Sequence, residues 1–263
     1  MATKETPKEE TLPAVKADVS GMLPVKIDYT SDCGAGFEDA DSSAYAIPFL
    51  RMLQSGSPQA KKKDPAYIQG AEEGDLINTV TEKIYKGDEG VTIIPCHFLE
   101  KFNKWVPNRG GFRGSLSPAD YAETQKQRIK ITNQQGEQIE VEADMEGNVL
   151  TDTREHYCLL VEPDGSYVEV LIALSSTQLK RSKQWMTVMR GLRKNGRTVP
   201  MFSQVYRLSS IGEQNDKGSW CSHKFEHIGE VQYAELYEAA KMFHESVRGG
   251  RVKVAEQDED LPY

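Results

Sequence analysis

Apolar and polar positions alternate with a period of two along most of the middle of the chain, and that period gives way twice to a helical one. Leu76 to Tyr85 alternates, and Lys86-Gly87-Asp88-Glu89-Gly90 supplies a turn. Val91 to Val106 is rich in β-branched and aromatic residues, with Pro95 marking an edge or a bulge. Asn108 to Gly114 reads as a flexible basic loop. Gln127–Thr132 and Gln138–Glu142 flank the polar turn Asn133–Glu137. His156–Glu162 and Tyr167–Leu174 flank Pro163-Asp164-Gly165-Ser166, a strong hairpin signal. The period then changes. Ser176 or Thr177 caps a predicted helix to about Lys194, with Leu179, Trp185, Val188, Met189 and Leu192 as its apolar stripe, and Gly196 and Pro200 stop it. Met201–Ile211 and Gly218–Ile228 alternate again across a loop at Gly212–Lys217. Gln232–Arg248 is the second predicted helix, with Leu236, Ala239, Ala240 and Phe243 on one face.

This order predicts a mainly β chain with helices, an α+β class. The expected architecture is a partly open antiparallel barrel like the oligonucleotide/oligosaccharide-binding fold (OB-fold), with one inserted and one C-terminal helix. A β-sandwich with an appended helix has the same order. Three segments are expected: a disordered acidic stretch at 1–44, a folded domain at 45–250, and an acidic tail at 251–263. Tyr45 to Gln54 is the first clearly apolar run, and Ser55–Asp64 is a loop with Lys61, Lys62 and Lys63.

Charge sharpens the picture once it is divided. The chain has 263 residues and a formal charge of −8. Residues 1–44 carry four Lys against nine carboxylates, and 255–263 carry four carboxylates and no base, so the body between is close to neutral. Within it, Thr177–Ser210 holds eight cations and no acid: Lys180, Arg181, Lys183, Arg190, Arg193, Lys194, Arg197 and Arg207. A solvated helix face normally mixes signs, so an acid-free run reads as a footprint for phosphates. No segment has the ~18 apolar residues of a membrane span. The polar N-terminus is unlike a secretory signal. Four widely spaced cysteines suit a reduced, cytoplasmic protein.

Single-strand binding needs a cationic groove and flat rings for bases. Lys101 and Lys104 lie near Arg109, Phe112 and Arg113. Arg197, Phe202, Tyr206 and Arg207 form a second set, with Trp220, Lys224 and Phe225 on the strand expected to pair with it. Trp185 falls on the helix stripe and is assigned to the core. Phe112, between glycines, is the best exposed stacking candidate. His156, Cys158, Cys221 and His223 would make a Cys₂His₂ zinc site if their strands were neighbours, but the spacing matches no common finger and buried side chains are the simpler reading. No phosphate loop, nucleophile elbow or His-Glu-x-x-His is present. No cofactor, metal or catalytic residue is therefore assigned, and the chain is expected not to be an enzyme.

The last six residues are Asp258-Glu259-Asp260-Leu261-Pro262-Tyr263. Three carboxylates before an apolar-Pro-aromatic tip resemble the C-terminal tail of bacterial single-stranded-DNA-binding proteins, Asp-Asp-Asp-Ile-Pro-Phe. The resemblance implies that Leu261 and Tyr263 enter a partner's apolar pocket while the acids lie on its basic rim, docking replication and repair proteins. The whole, with a basic body and an acidic tail, resembles the single-stranded-DNA-binding proteins of bacteriophages. The expected function is sequence-independent binding and protection of single-stranded DNA in replication, recombination or repair, in the host cytoplasm. The alternatives are an interaction protein that uses the tail to mimic a host ligand, a nuclease or annealing recombinase, and a virion structural protein. The sequence leaves the oligomeric state open.

Overall fold

The computed structural model describes residues 30–32, 35, 36, 45–107, 110–133, 136–216 and 218–255. The chain divides into two packing units, Met1–Asp39 and Ala40–Tyr263. Of the first, a 3-10 turn at Thr30–Asp32 and a turn at Ala35 and Gly36 are described.

The second unit opens with β1 (Ala46–Ile47), β2 (Leu50–Met52), β3 (Leu76–Asn78) and β4 (Ile84–Tyr85). Next come β5 (Val91–Val106), β6 (Gly111–Leu116), α1 (Pro118–Glu123), β7 (Lys126–Thr132), β8 (Gln138–Asp144), β9 (Val149–Val161) and β10 (Tyr167–Ser175). Then follow α2 (Leu179–Gly191), the short β11 (Arg193–Lys194) and β12 (Arg197–Thr198), β13 (Gln204–Asn215), β14 (Gly218–Glu230), α3 (Ala234–Arg248) and β15 (Lys253–Val254). The chain is thus mainly β with helices, as its periodicity predicts.

A long antiparallel ribbon of β5 and β9 is the spine. Thr92 stands opposite Val161 at one end and Trp105 opposite Val149 at the other. The two ends carry different neighbours. At the first, β13 and β14 flank β5, and β10 flanks β9. At the second, β6 pairs with β5, and the β7–β8 hairpin joins β9. The main path of the sheet, β14-β13-β5-β9-β8-β7, is open, and among the described residues it does not close into a barrel.

The first end is a three-layer sandwich. On one face, Cys158, Leu160, Val170, Ile172, Tyr206 and Leu208 pack with Trp185 and Met189 of α2. On the other, Ile94, Cys96, Tyr157, Leu159 and Leu171 pack with Ala239, Ala240, Phe243 and Val247 of α3. A sheet covered on both faces has strands that are apolar at successive positions. That is why Tyr157-Cys158-Leu159-Leu160 and Val170-Leu171-Ile172 are unbroken apolar runs. The second end has one smaller cluster, Trp105, Ile131, Val141 and Val149, and its β7–β8 hairpin alternates exposed and covered positions. Here the chemistry at the edge is self-neutralising, since Arg128 and Lys130 face Glu142 and Glu140 across the register.

Several expectations shift. The predicted basic loop at 108–114 is largely strand: β6 pairs Phe112 with Trp105 and Gly114 with Lys104. The first helix stops at Gly191 rather than at about Lys194, and Arg193 and Lys194 belong to a hairpin. Pro95 does mark a bulge: the register slips between Pro95 and His97. Past Gly249 and Gly250 the chain is not yet free, because β15 pairs in parallel with β1 and Ala255 N–H donates to Ile47 O at 2.9 Å. Among the described residues, no helix is long and apolar enough to cross a membrane.

Candidate nucleic-acid interface

The site is built on α2, and α2 is held down by its inner face. Ser182, Trp185 and Met189 are buried, spaced to fall on one side of a helix. Trp185 stacks on Phe225 of β14 with ring centroids 3.8 Å apart, and meets Tyr206 edge-on at 5.6 Å and His156 at 4.7 Å. Ser182 Oγ and His156 Nε2 lie 2.8 Å apart. Just before the helix, the Gln178 amide donates to Ser222 Oγ at 3.1 Å, while its oxygen accepts from His223 N–H at 3.3 Å. Burial holds the His156 imidazole at a pKa of about 3, with His223 and Arg154 adding to the effect. Burial likewise lowers His223 to about 4. Both are neutral hydrogen-bonding struts under the helix.

With one face anchored, the opposite face is fixed in place. Lys180, Lys183 and Arg190 are exposed there, three and seven residues apart, and none has an acidic partner among the described residues. Arg181, beside this face, is spent on Glu213 of β13.

The chain leaves α2 through a basic hairpin. Val199 N–H donates to Leu192 O at 3.1 Å and closes its base. Asn195 and Gly196 have successive positive φ, 52° and 78°, the tight turn that an Asn-Gly pair favours. The hairpin sets Lys194 directly opposite Arg197, and all four strand residues are exposed. Like charges opposite one another are unfavourable, and a bound anion relieves that cost. Lys194 reaches Glu230 at 3.5 Å, an exposed pair of little worth. Arg193 folds back onto Gly196 O at 3.1 Å.

The remaining sequence candidates scatter. Tyr206 is fully buried against Trp185 and belongs to the core, so it is no stacking platform. Phe202 is half-buried against Tyr237 and His244 on the α3 side. Arg207 is exposed but lies between Tyr206 and Leu208, which face α2, so it points to the other side of the sheet. Lys101 and Lys104 neutralise buried Glu155 and Asp144 at 3.0 and 2.7 Å. Trp220 donates to Glu213 at 3.1 Å. Phe112 is 38% exposed, with its ring edge-on to Trp105 at 5.5 Å, and Arg113 beside it is exposed. From Thr92, opposite Arg207, to Trp105, opposite Phe112, β5 runs thirteen residues, about 40 Å at ~3.3 Å each. Phe112 and Arg113 thus lie far from Arg207. Arg109 and Asp258, Glu259, Asp260, Leu261, Pro262 and Tyr263 lie outside the described residues.

The four zinc candidates do not gather into one site, although His156 and His223 come near each other under α2. In the sheet β9 and β14 are separated by β5 and β13. Cys221 Sγ lies instead 3.8 Å from Glu73 and Cys158 is buried in the α2-side core. Among the described residues no three His, Cys, Asp or Glu side chains gather as a metal site. What sequence reasoning missed is the β11–β12 hairpin. Its signal is the Asn195-Gly196 pair between basic residues, a two-residue turn that coincides with the expected helix stop at Gly196.

No curated protein and no solved structure matches the chain at a significant level. A family model does: that of the Pam3 phage gp34-like protein, over residues 16–253. A match that takes in the spine, all three helices and the basic hairpin shows that the chain belongs to the Pam3 phage gp34-like protein family.

Proposed function

We propose that this phage-family protein binds single-stranded DNA without catalysis, and that phosphates run along the outer face of α2 and over the β11–β12 hairpin. One observation carries the reading. Lys180, Lys183 and Arg190 on the outer face of α2, an element locked from below, and Arg197 on the hairpin that follows it, are exposed cations with no acid against them among the described residues. Cations serving only solubility are usually interspersed with acids, as on β7 and β8. The reading does not need the OB-like barrel. The β5–β9 ribbon joins the α2 end to the β5–β6 hairpin, where Phe112 and Arg113 offer a second, aromatic contact for a strand long enough to reach both. The acidic tail, by its resemblance, would recruit replication or repair proteins.

The test is a salt titration with labelled oligothymidylate, with duplex of equal length as control. Four or five phosphates neutralised on a single strand give a log–log slope of about −3 to −3.5, at ~0.7 per contact. A flat salt response, or equal affinity for duplex, sinks the proposal.

A further inference from the structure

We propose that His97 and His244, together with the carbonyl oxygen of Cys96, form a binding site for a divalent transition metal of the zinc type, which ties the β5 bulge to α3. This site is separate from the cationic track and does not rest on the proposed function.

The bulge builds it. Pro95 pairs with Cys158 and His97 with Tyr157, so Cys96 is the extra residue. Without the slip, His97 would follow the alternation onto the α2 side. With it, Cys96 and His97 both face α3, as Ile94 and Tyr157 do. The same slip leaves Cys96 without a partner in the β5–β9 register. His244, on the inner side of α3, stands over both: its Nδ1 is 3.1 Å from His97 Nδ1 and 2.9 Å from Cys96 O.

Two further lone-pair atoms therefore lie within 3.1 Å of His244 Nδ1, and one proton on that nitrogen serves them poorly. If His244 Nδ1–H points at Cys96 O, it does not also point at the His97 lone pair. If His97 Nδ1 carries the proton, His244 Nδ1 accepts it and no longer donates to Cys96 O. A metal ion satisfies all three at once. Two imidazole nitrogens on one tetrahedral zinc, each at ~2.0–2.1 Å, are about 3.3 Å apart. The observed spacing needs a ring rotation of a few tenths of an ångström to match. Both rings are half-buried, so one side stays open for water to complete the coordination. Two imidazoles and a carbonyl suit zinc, cobalt, nickel or copper rather than magnesium or calcium. Arg248, one turn along α3, is the neighbouring charge that opposes a cation, and its exposure lets solvent screen it.

The test uses the full, untagged chain after chelator treatment, titrated with zinc by calorimetry and with cobalt by visible absorption. One equivalent should bind, with a rise in melting temperature. His97→Ala and His244→Ala should each weaken binding by more than about tenfold, since losing even an outer-shell partner costs ~10–100-fold. His227→Ala, elsewhere on β14, should leave it unchanged. Absence of saturable binding, or equal affinity in the double variant, overturns the proposal. Should the variants fail to fold, zinc protection of the wild type from carbethoxylation decides it. Protection at His97 and His244 supports the site, and protection only at other histidines overturns it.

Discussion

Single side chains in this protein show how one residue type takes opposite roles. Tyr206 and Phe112 are both aromatics among cations in the sequence, yet one is core and the other is exposed. Tyr206→Ala should cost about 3–5 kcal/mol in chemical denaturation, the range for a large aromatic in a packed core. Its hydroxyl is buried with no hydrogen-bond partner, and burial pushes its pKa up to about 12. Tyr206→Phe should therefore be neutral or stabilising by about 1 kcal/mol, because it removes an unpaired polar group. Phe112→Ala should change stability far less and weaken oligonucleotide binding by about fivefold or more, the effect of losing a ring worth ~1–3 kcal/mol. A large stability loss with unchanged binding would return Phe112 to the Trp105 cluster. His156 and His223 give a pH dependence whose sign is fixed. Their folded pKa values lie below the ordinary histidine value of about 6.5, so the unfolded state binds more protons between that value and about 3 to 4. Their stabilisation is complete above pH ~6.5 and is lost as pH falls. Melting temperature should decline from pH 7 towards pH 4, and His156→Gln should flatten that decline. None of these roles is legible from residue type, because burial is decided by which strand lies alongside.

At the scale of elements, the β11–β12 hairpin and α2 are the parts to perturb. Reversing Arg193, Lys194 and Arg197 to Glu changes only exposed positions. It should leave stability within about 0.5 kcal/mol. It replaces the Lys194–Arg197 opposition with a like-charge opposition of the other sign, and should weaken single-strand affinity and shrink the salt slope. Unchanged affinity would remove the hairpin from the interface. Turn chemistry made most elements readable: Pro163-Asp164-Gly165 places the β9–β10 hairpin and the Gly249-Gly250 pair ends α3. Asn195-Gly196 spoke as clearly, but the helical stripe carried on through Leu192 and masked it. A hairpin two residues long on each side leaves no period to count.

For the whole molecule, the division of charge matters more than its sum. Because β15 is paired to β1, residues 256–263 reach at most about 29 Å from Ala255, at ~3.6 Å each. The pairing lies against the α3-side cluster, through Ile47 and Val254. The cationic track of α2 is on the other face. If the tail's acids compete with DNA for that track, removing residues 256–263 should tighten strand binding at low salt, with the gain fading as salt rises. Tyr263→Ala should leave strand binding as it is and lose captured replication or repair proteins. A truncation without either effect leaves the tail as a solvating appendage. The sequence by itself determined the α+β class, the positions of both long helices, most hairpins and the acid-free run, because period and turn chemistry are local properties. Only the tertiary structure decided that the sheet stays open, that Arg207 turns away from Lys180 and Lys183, and that Lys101 and Lys104 serve buried carboxylates. It alone brought His97 to His244, 147 residues apart. Sheet order and a one-residue slip at Cys96 set those outcomes, and both arise from long-range pairing that no local pattern encodes.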